Sequence, residues 1–231
     1  MPNDELINQI TKEAIKSYWG IRDNGVLSGQ TMDGFASILR YVLNSIGVKD
    51  SEIIVGRGAK LPGYFRLSKD WDMLVLKENP DGTKKLLAVI EFKSMFGSVG
   101  NNLNNRIEEA VGSSYDLLKA YERGVFGVNK PYLGYVFIMG KHPKNSGGNQ
   151  RKEMLFPALE EFDVFPRTGI PANYEQRAEI FMVNMLKEQL YNNCAFIIAD
   201  DIEKGEYITP NDGLSINLLI KSLLGYIIAN S

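Results

Sequence analysis

Two apolar runs in this chain carry charges in their interiors: Trp71-Asp72-Met73-Leu74-Val75-Leu76 and Leu87-Ala88-Val89-Ile90-Glu91-Phe92-Lys93. Runs this rich in Val, Ile and Leu pack as strands into a core. A carboxylate or ammonium there costs several kcal/mol to desolvate unless it meets a partner or a metal. Glu91 and Lys93 are two apart, so on a strand they point to one face. The intervening Asn79-Pro80-Asp81-Gly82-Thr83 holds an Asp-Gly step suited to a hairpin, and such a hairpin brings Asp72 alongside Glu91. Two carboxylates and an ammonium converging on a sheet edge suit a divalent cation and the hydrolysis of a phosphodiester.

Mg²⁺ takes hard oxygen ligands and keeps several waters, so one or two carboxylates suffice. Asp72 and Glu91 are the expected ligands, joined by the backbone carbonyl of Phe92. Lys93 is expected to orient or help deprotonate the attacking water and to offset charge growing on the phosphate. These residues form the Asp…Glu-x-Lys pattern of the PD-(D/E)xK nuclease superfamily. Three such residues also occur by chance in many chains, and the competing reading is a solvated strand end with a surface ion pair.

The neighbouring residues carry more information. Leu61-Pro62-Gly63-Tyr64-Phe65-Arg66-Leu67-Ser68-Lys69-Asp70-Trp71-Asp72 resembles the segment leading to the catalytic Asp of XhoI-type restriction endonucleases. Ala88-Val89-Ile90-Glu91-Phe92-Lys93-Ser94 resembles the same family, as do Gly100-Asn101-Asn102-Leu103-Asn104-Asn105-Arg106-Ile107-Glu108-Glu109-Ala110 and Pro131-Tyr132-Leu133-Gly134-Tyr135. The likeness is specific across residues 55–140 and looser through the C-terminal third. It implies a type II restriction enzyme, a Mg²⁺-dependent endonuclease that cuts both strands of the palindrome CTCGAG, with Asp72, Glu91 and Lys93 as the catalytic set. Trp71 stands where the wider superfamily usually has Pro; XhoI-type sequences share the Trp. A palindromic target further implies a two-fold symmetric homodimer, one metal site per strand.

Several elements must position these residues. Residues 4–19 place Leu6, Ile10, Ala14 and Tyr18 at helical spacing. Ser28 is expected to open a second helix, with Phe35, Ile38, Leu39, Val42 and Ile46 on one side and Gly47 as its stop. The catalytic hairpin spans about 71–93. A helix follows at 102–121, its apolar face carrying Leu103, Ile107, Val111, Leu117 and Leu118. A buried strand at 132–139 precedes a long loop to about 173, then a helix at 174–191, a strand at 194–199 and a closing helix at 215–229. The expected fold is α/β with a restriction-endonuclease-like core, a mixed central sheet with helices on both faces. One domain is expected over 1–231: an N-terminal helical part (1–50), a catalytic part (51–140) and a C-terminal part (141–231). The two N-terminal helices and the 140–173 segment lie outside the minimal nuclease core and are the candidate dimer surfaces.

Asn101, Asn102, Asn104 and Asn105, followed by Arg106, put four amides in five positions. Asn suits a helix start, which accounts for one or two of them. Asn also reads adenine and Arg reads guanine, so the segment is expected to face double-stranded DNA just beyond the metal site. Glu108 or Glu109 is a possible partner of a metal-bound water or of Lys93, against a solvated helix face for at least one of them. Arg66 and Lys69 are candidates for clamping the phosphate backbone, against simple surface charge. For residues 141–151 a minor DNA contact competes with plain solvation.

Composition limits the alternatives. At 231 residues and 44% hydrophobic the chain can bury a full core. Its one cysteine, Cys194, excludes an internal disulfide, suits a reducing cytoplasm and reads as a buried strand thiol. One histidine, His142, and one cysteine cannot build an ordinary zinc site or a Ser-His-Asp triad. The polar N-terminus is not a signal peptide, and Asn217 and Lys221 interrupt the longest apolar stretch, so no membrane span is expected. A net charge of −2 argues against a purely electrostatic DNA binder and leaves a sequence-specific one admissible. Two other readings stay open: a repair nuclease or junction resolvase of the same superfamily, and a non-catalytic DNA-binding module of the same fold.

Overall fold

The computed structural model describes residues 2–23, 33–96, 99–142, 154–201 and 203–231. Its framework is one six-stranded mixed sheet, in the order β1 (Ile53–Val55), β4 (Met73–Glu78), β5 (Lys84–Met95), β6 (Tyr132–Gly140), β7 (Asn193–Asp201) and β8 (Glu206–Ile208). β5, β6 and β7 run parallel, while β1–β4, β4–β5 and β7–β8 are antiparallel pairs. A separate ribbon pairs β2 (Lys60–Leu61) with β3 (Lys69–Asp70). The helices are α1 (Asp4–Asp23), α2 (Asp33–Asn44), α3 (Val99–Glu122), the single-turn α4 (Glu160–Asp163), α5 (Tyr174–Lys187) and α6 (Ile216–Asn230).

Every residue of β6 is buried, as a central parallel strand covered on both faces requires. On one face Met73, Val75, Ala88, Ile90, Val136 and Ile197 pack against α1, α2 and α6. On the other, Leu74, Val89, Tyr135, Phe137 and Phe196 pack against α3 and α5. The alternation along β5 therefore assigns Glu91 and Lys93, which share Val89's parity, to the α3/α5 face. The expected mixed sheet with helices on both faces is present.

The β4–β5 hairpin closes over residues 79–83. The Asp81 carboxylate accepts from the Thr83 N–H, and Gly82 takes φ +81°, the conformation for which the Asp-Gly step is suited. α5 starts with a reciprocal cap between Asn173 and Gln176, and Ser215 caps α6.

The structure corrects parts of the sequence reading. α1 buries Ile7, Thr11, Ala14 and Ile15 with Ile10 packed beside them, so the expected face holds at Ile10 and Ala14 but is centred one residue later, and the Tyr18 side chain lies outside the described residues. Val111 faces outward on α3, whose inward side is Leu103, Ala110, Ser114, Leu117 and Ala120. Small residues and a serine that bonds the Ala110 carbonyl complete that face, so a purely apolar count misplaced it. α5 ends at Lys187 rather than 191, and Tyr191 stands in the turn beyond it. The long segment before α5 holds α4, and β1, β2, β3 and β8 are too short to show a period. Ser28 lies outside the described residues. α1 and α2 each pack one face into the core, which leaves their outer faces and the 140–173 segment as the candidate dimer surfaces; residues 143–153 lie outside the described residues.

Candidate active site

The sheet register creates the site. β4 begins at Met73, paired with Ile90, so on that side of β5 no described strand continues past Ile90, while β6 pairs the other side through Met95. Asp72, the residue just before β4, fills this gap with its side chain. Its Oδ2 accepts the Phe92 N–H at 2.8 Å. The Asp72 backbone is held in turn, since its carbonyl accepts the Gly56 N–H at 3.0 Å, while the Trp71 N–H donates to Ala59 at 2.7 Å. Trp71 is buried against the α3/α5 core, which explains a large apolar residue at that position.

Glu91 and Lys93 project from the same face of β5, as the two-residue spacing predicts. Lys93 Nζ lies 2.9 Å from Glu91 Oε1 and 3.7 Å from Asp72 Oδ2, so one ammonium joins both carboxylates. Glu91 is 1% exposed and Asp72 is 42% exposed, which makes one the floor and the other the rim of the site.

Two further groups reach Glu91. Lys69, on β3, brings its Nζ within 3.2 Å of the same Oε1, with its ammonium 4.6 Å from the Trp71 ring centre. Tyr191 donates its hydroxyl to Oε2 at 3.1 Å. Burial by itself pushes the Glu91 carboxyl up, but Lys93 and Lys69 outweigh it and hold the group below its ordinary value. Burial opposes the Lys93 charge, and the carboxylates of Glu91 and Asp72 more than offset that. Burial, and then the Glu91 charge, push the Tyr191 phenol well above its usual range, so it remains a proton donor.

The other sequence candidates fall around this centre. Arg66 gives its Nε to Asp116 Oδ2 at 3.0 Å, and Asp116 Oδ1 accepts the N–H groups of Tyr64 and Phe65 at 2.8 and 2.6 Å. The buried Asp116 thus clamps the loop that leads into Lys69. A Cβ on Gly63 would lie 2.2 Å from the Asp116 carboxylate, so only glycine fits there. Arg106 pairs with Glu109 at 2.6 Å rather than leaving that acid to Lys93, and Glu108 is exposed. Asn104 accepts from Arg177 at 3.1 Å, while Asn102 and Asn105 are exposed on the first turns of α3. The backbone of Asn101 belongs to α3; its side chain lies outside the described residues.

Sequence reasoning missed Tyr191, Asp116 and the engagement of Lys69 with Glu91. Asp116 had a signal of the kind that marked Asp72, a carboxylate beside buried Leu117. Tyr191 had none.

Among the described residues no group of three or more His, Cys, Asp or Glu stands ready to hold a metal. The oxygen pair of Asp72 and Glu91 still suits Mg²⁺, which needs few protein ligands. The donors are hard, and no sulfur or imidazole competes.

Comparison with known proteins decides the family. The model of the family described as restriction endonuclease XhoI matches residues 11–209. The chain belongs to the XhoI restriction endonuclease family. Among its XhoI-family relatives, the type II restriction enzyme BstVI of Geobacillus stearothermophilus is 36% identical over 206 residues, covering 87% of this chain and 89% of that protein. The type II restriction enzyme XhoI of Xanthomonas vasicola is 38% identical over 143 residues, 60% of this chain and 56% of the relative. The type II restriction enzyme AbrI of Azospirillum brasilense is 34% identical over 165 residues, 63% of this chain and 71% of the relative. No solved structure matches the chain.

Proposed function

We propose that this XhoI-family protein is a Mg²⁺-dependent type II restriction endonuclease that cuts both strands of a palindrome, CTCGAG, as a homodimer in the cytoplasm. The observation that carries the reading is the junction of Asp72 and Glu91 at the Lys93 ammonium, on a strand edge that the register leaves open. Family membership supports DNA as the substrate.

Asp72 and Glu91 would hold the ion, with Phe92 beside them. The Phe92 N–H points at Asp72, and the N–H and C=O of a strand residue point to the same side, so its carbonyl faces the same gap. A bound Mg²⁺ supplies Lewis acidity and a water activated near neutral pH. Lys93 holds both carboxylates in place and presents a fixed positive charge where the attacking water and the phosphate meet. Tyr191 fixes the rotation of the Glu91 carboxylate. Asn101, Asn102, Asn104, Asn105 and Arg106 begin α3, which follows β5 directly, so they are the candidates for reading bases, with Arg66 and Lys69 on the phosphate side. Glu108 and Glu109 take outer positions on the same helix.

For the homodimer, the 140–173 segment exposes Leu155 at 98% and Phe156 at 81%, a pattern suited to association with a second copy. No described helix is long and apolar enough to cross a membrane.

The test is digestion of a plasmid of known sequence with Mg²⁺, followed by sequencing of the ends. Ends at CTCGAG alone, absent with a chelator, are expected. Random or structure-dependent nicks would instead favour a repair nuclease or resolvase, and no cutting a non-catalytic module.

A further inference from the structure

Both oxygens of the Glu91 carboxylate are engaged by the chain itself. Oε2 takes the Tyr191 hydroxyl, and Oε1 takes two ammonium groups, Lys93 at 2.9 Å and Lys69 at 3.2 Å. A divalent cation and two ammonium groups cannot share one oxygen without strong mutual repulsion. One of the lysines must yield when a metal arrives, and the two are not equivalent.

Lys93 grows from the same rigid strand as Glu91 and is shared with Asp72, the second carboxylate. Lys69 belongs to a two-residue strand of a small ribbon outside the main sheet. Among the described residues, the partners of its ammonium apart from Glu91 are the Asp70 carbonyl at 3.5 Å and the Trp71 ring. It is the ammonium head that lies over that ring, so leaving Oε1 costs Lys69 one ion pair and displaces no hydrogen bond to a second side chain.

We propose that Lys69 is a displaceable counter-ion: it neutralises Glu91 while the site is metal-free, leaves Oε1 when a divalent cation binds, and is thereby freed to face the phosphate being cut. The ammonium then supports the growing phosphate charge from a second side, opposite in origin to Lys93. This rests on the metal-dependent nuclease reading above.

The proposal predicts opposite effects on binding and on cutting. Lys69→Met keeps the apolar stem and removes the competitor. Calorimetric titration of Ca²⁺ into the whole, DNA-free protein should then show binding tighter than wild type by about three- to tenfold. Lys69→Arg keeps the charge and should match wild type, and Lys69→Gln repeats the test with a polar side chain. Single-turnover cutting of a CTCGAG plasmid at saturating Mg²⁺ should be slower in Lys69→Met than in wild type. Equal or weaker Ca²⁺ binding by both Lys69→Met and Lys69→Gln overturns the counter-ion role. Undiminished cutting by Lys69→Met overturns its release to the phosphate. If the wild type itself takes up no Ca²⁺ and cuts no DNA, the nuclease reading falls with it.

Discussion

Tyr191 and Glu91 stand 100 positions apart in sequence, and their hydroxyl and carboxylate meet at 3.1 Å inside the protein. The contact ties the turn after α5 to the middle of β5 and leaves Oε1 as the oxygen turned toward Lys93 and Lys69. Replacing Tyr191 by Phe keeps the ring and its packing on Tyr135, 5.3 Å away, and removes only the donor. A stability loss of about 1–2 kcal/mol is expected, together with a higher Mg²⁺ requirement for cutting. Thermal unfolding and a Mg²⁺ titration of the cleavage rate check both; an unchanged Mg²⁺ requirement would show that Tyr191 is structural only.

Asp72→Ala should abolish cutting and leave the fold intact, because Asp72 sits at the solvent rim. Glu91→Ala differs. The structure pairs Glu91 with two ammonium groups and a phenol. Its loss leaves those cations facing each other and should cost on the order of 2–4 kcal/mol, besides all activity. Chemical denaturation of the two variants distinguishes them, and wild-type-like cutting by either would sink the assignment.

Asp116 offers a test by pH. Burial pushes its carboxyl up, and the N–H groups of Phe65 and Tyr64 with the Arg66 guanidinium overcome this, so the folded-state value lies below the ordinary one. A depressed carboxylate contributes stability above the unfolded-state value, near 4, that is lost as pH falls through the folded one. Asp116→Ala should lower the melting temperature by roughly 5–10 °C at pH 7. That gap should narrow as pH drops from about 4 toward 2. A gap that stays constant with pH would deny the charge its role.

Base reading by the start of α3 predicts that Asn102→Ala and Asn105→Ala each lose about 1–3 kcal/mol of discrimination between CTCGAG and single-base variants. Competition binding in Ca²⁺ measures it. Loss of stability with intact discrimination would mean that these amides only begin a helix.

If the apolar segment around Leu155 and Phe156 joins two copies, Phe156→Asp should give a folded chain that sediments as a monomer. Wild type should bind a short CTCGAG duplex as two chains. One wild-type chain per duplex defeats the dimer.

Period and turn chemistry made the centre of the site legible. Glu91 and Lys93 share a face because strands alternate, and the Asp-Gly turn folds Asp72 back beside them. Long buried elements, β6 and α6 above all, were equally plain. Lys69 was visible as a cation but not as a partner of Glu91, since its ribbon is two residues long and carries no pattern. Asp116 and Tyr191 reach their partners across 50 and 100 positions, distances over which local sequence rules say nothing. The α1 and α3 faces were misread where Thr11 and Ser114 turn inward and bond the preceding helical carbonyls, hiding their polarity from water.

The four ionic groups at the edge of β5, namely Asp72, Glu91, Lys69 and Lys93, have formal charges that cancel. Without a metal these groups would present no net charge to an approaching polyanion, whereas with a divalent ion held among them they would present two positive charges. The metal would then act as a licence for docking as well as for scission, and the counterions shed by DNA on binding should increase with loading. A log–log plot of duplex affinity against salt should be steeper by up to about two units in Ca²⁺ than in chelator.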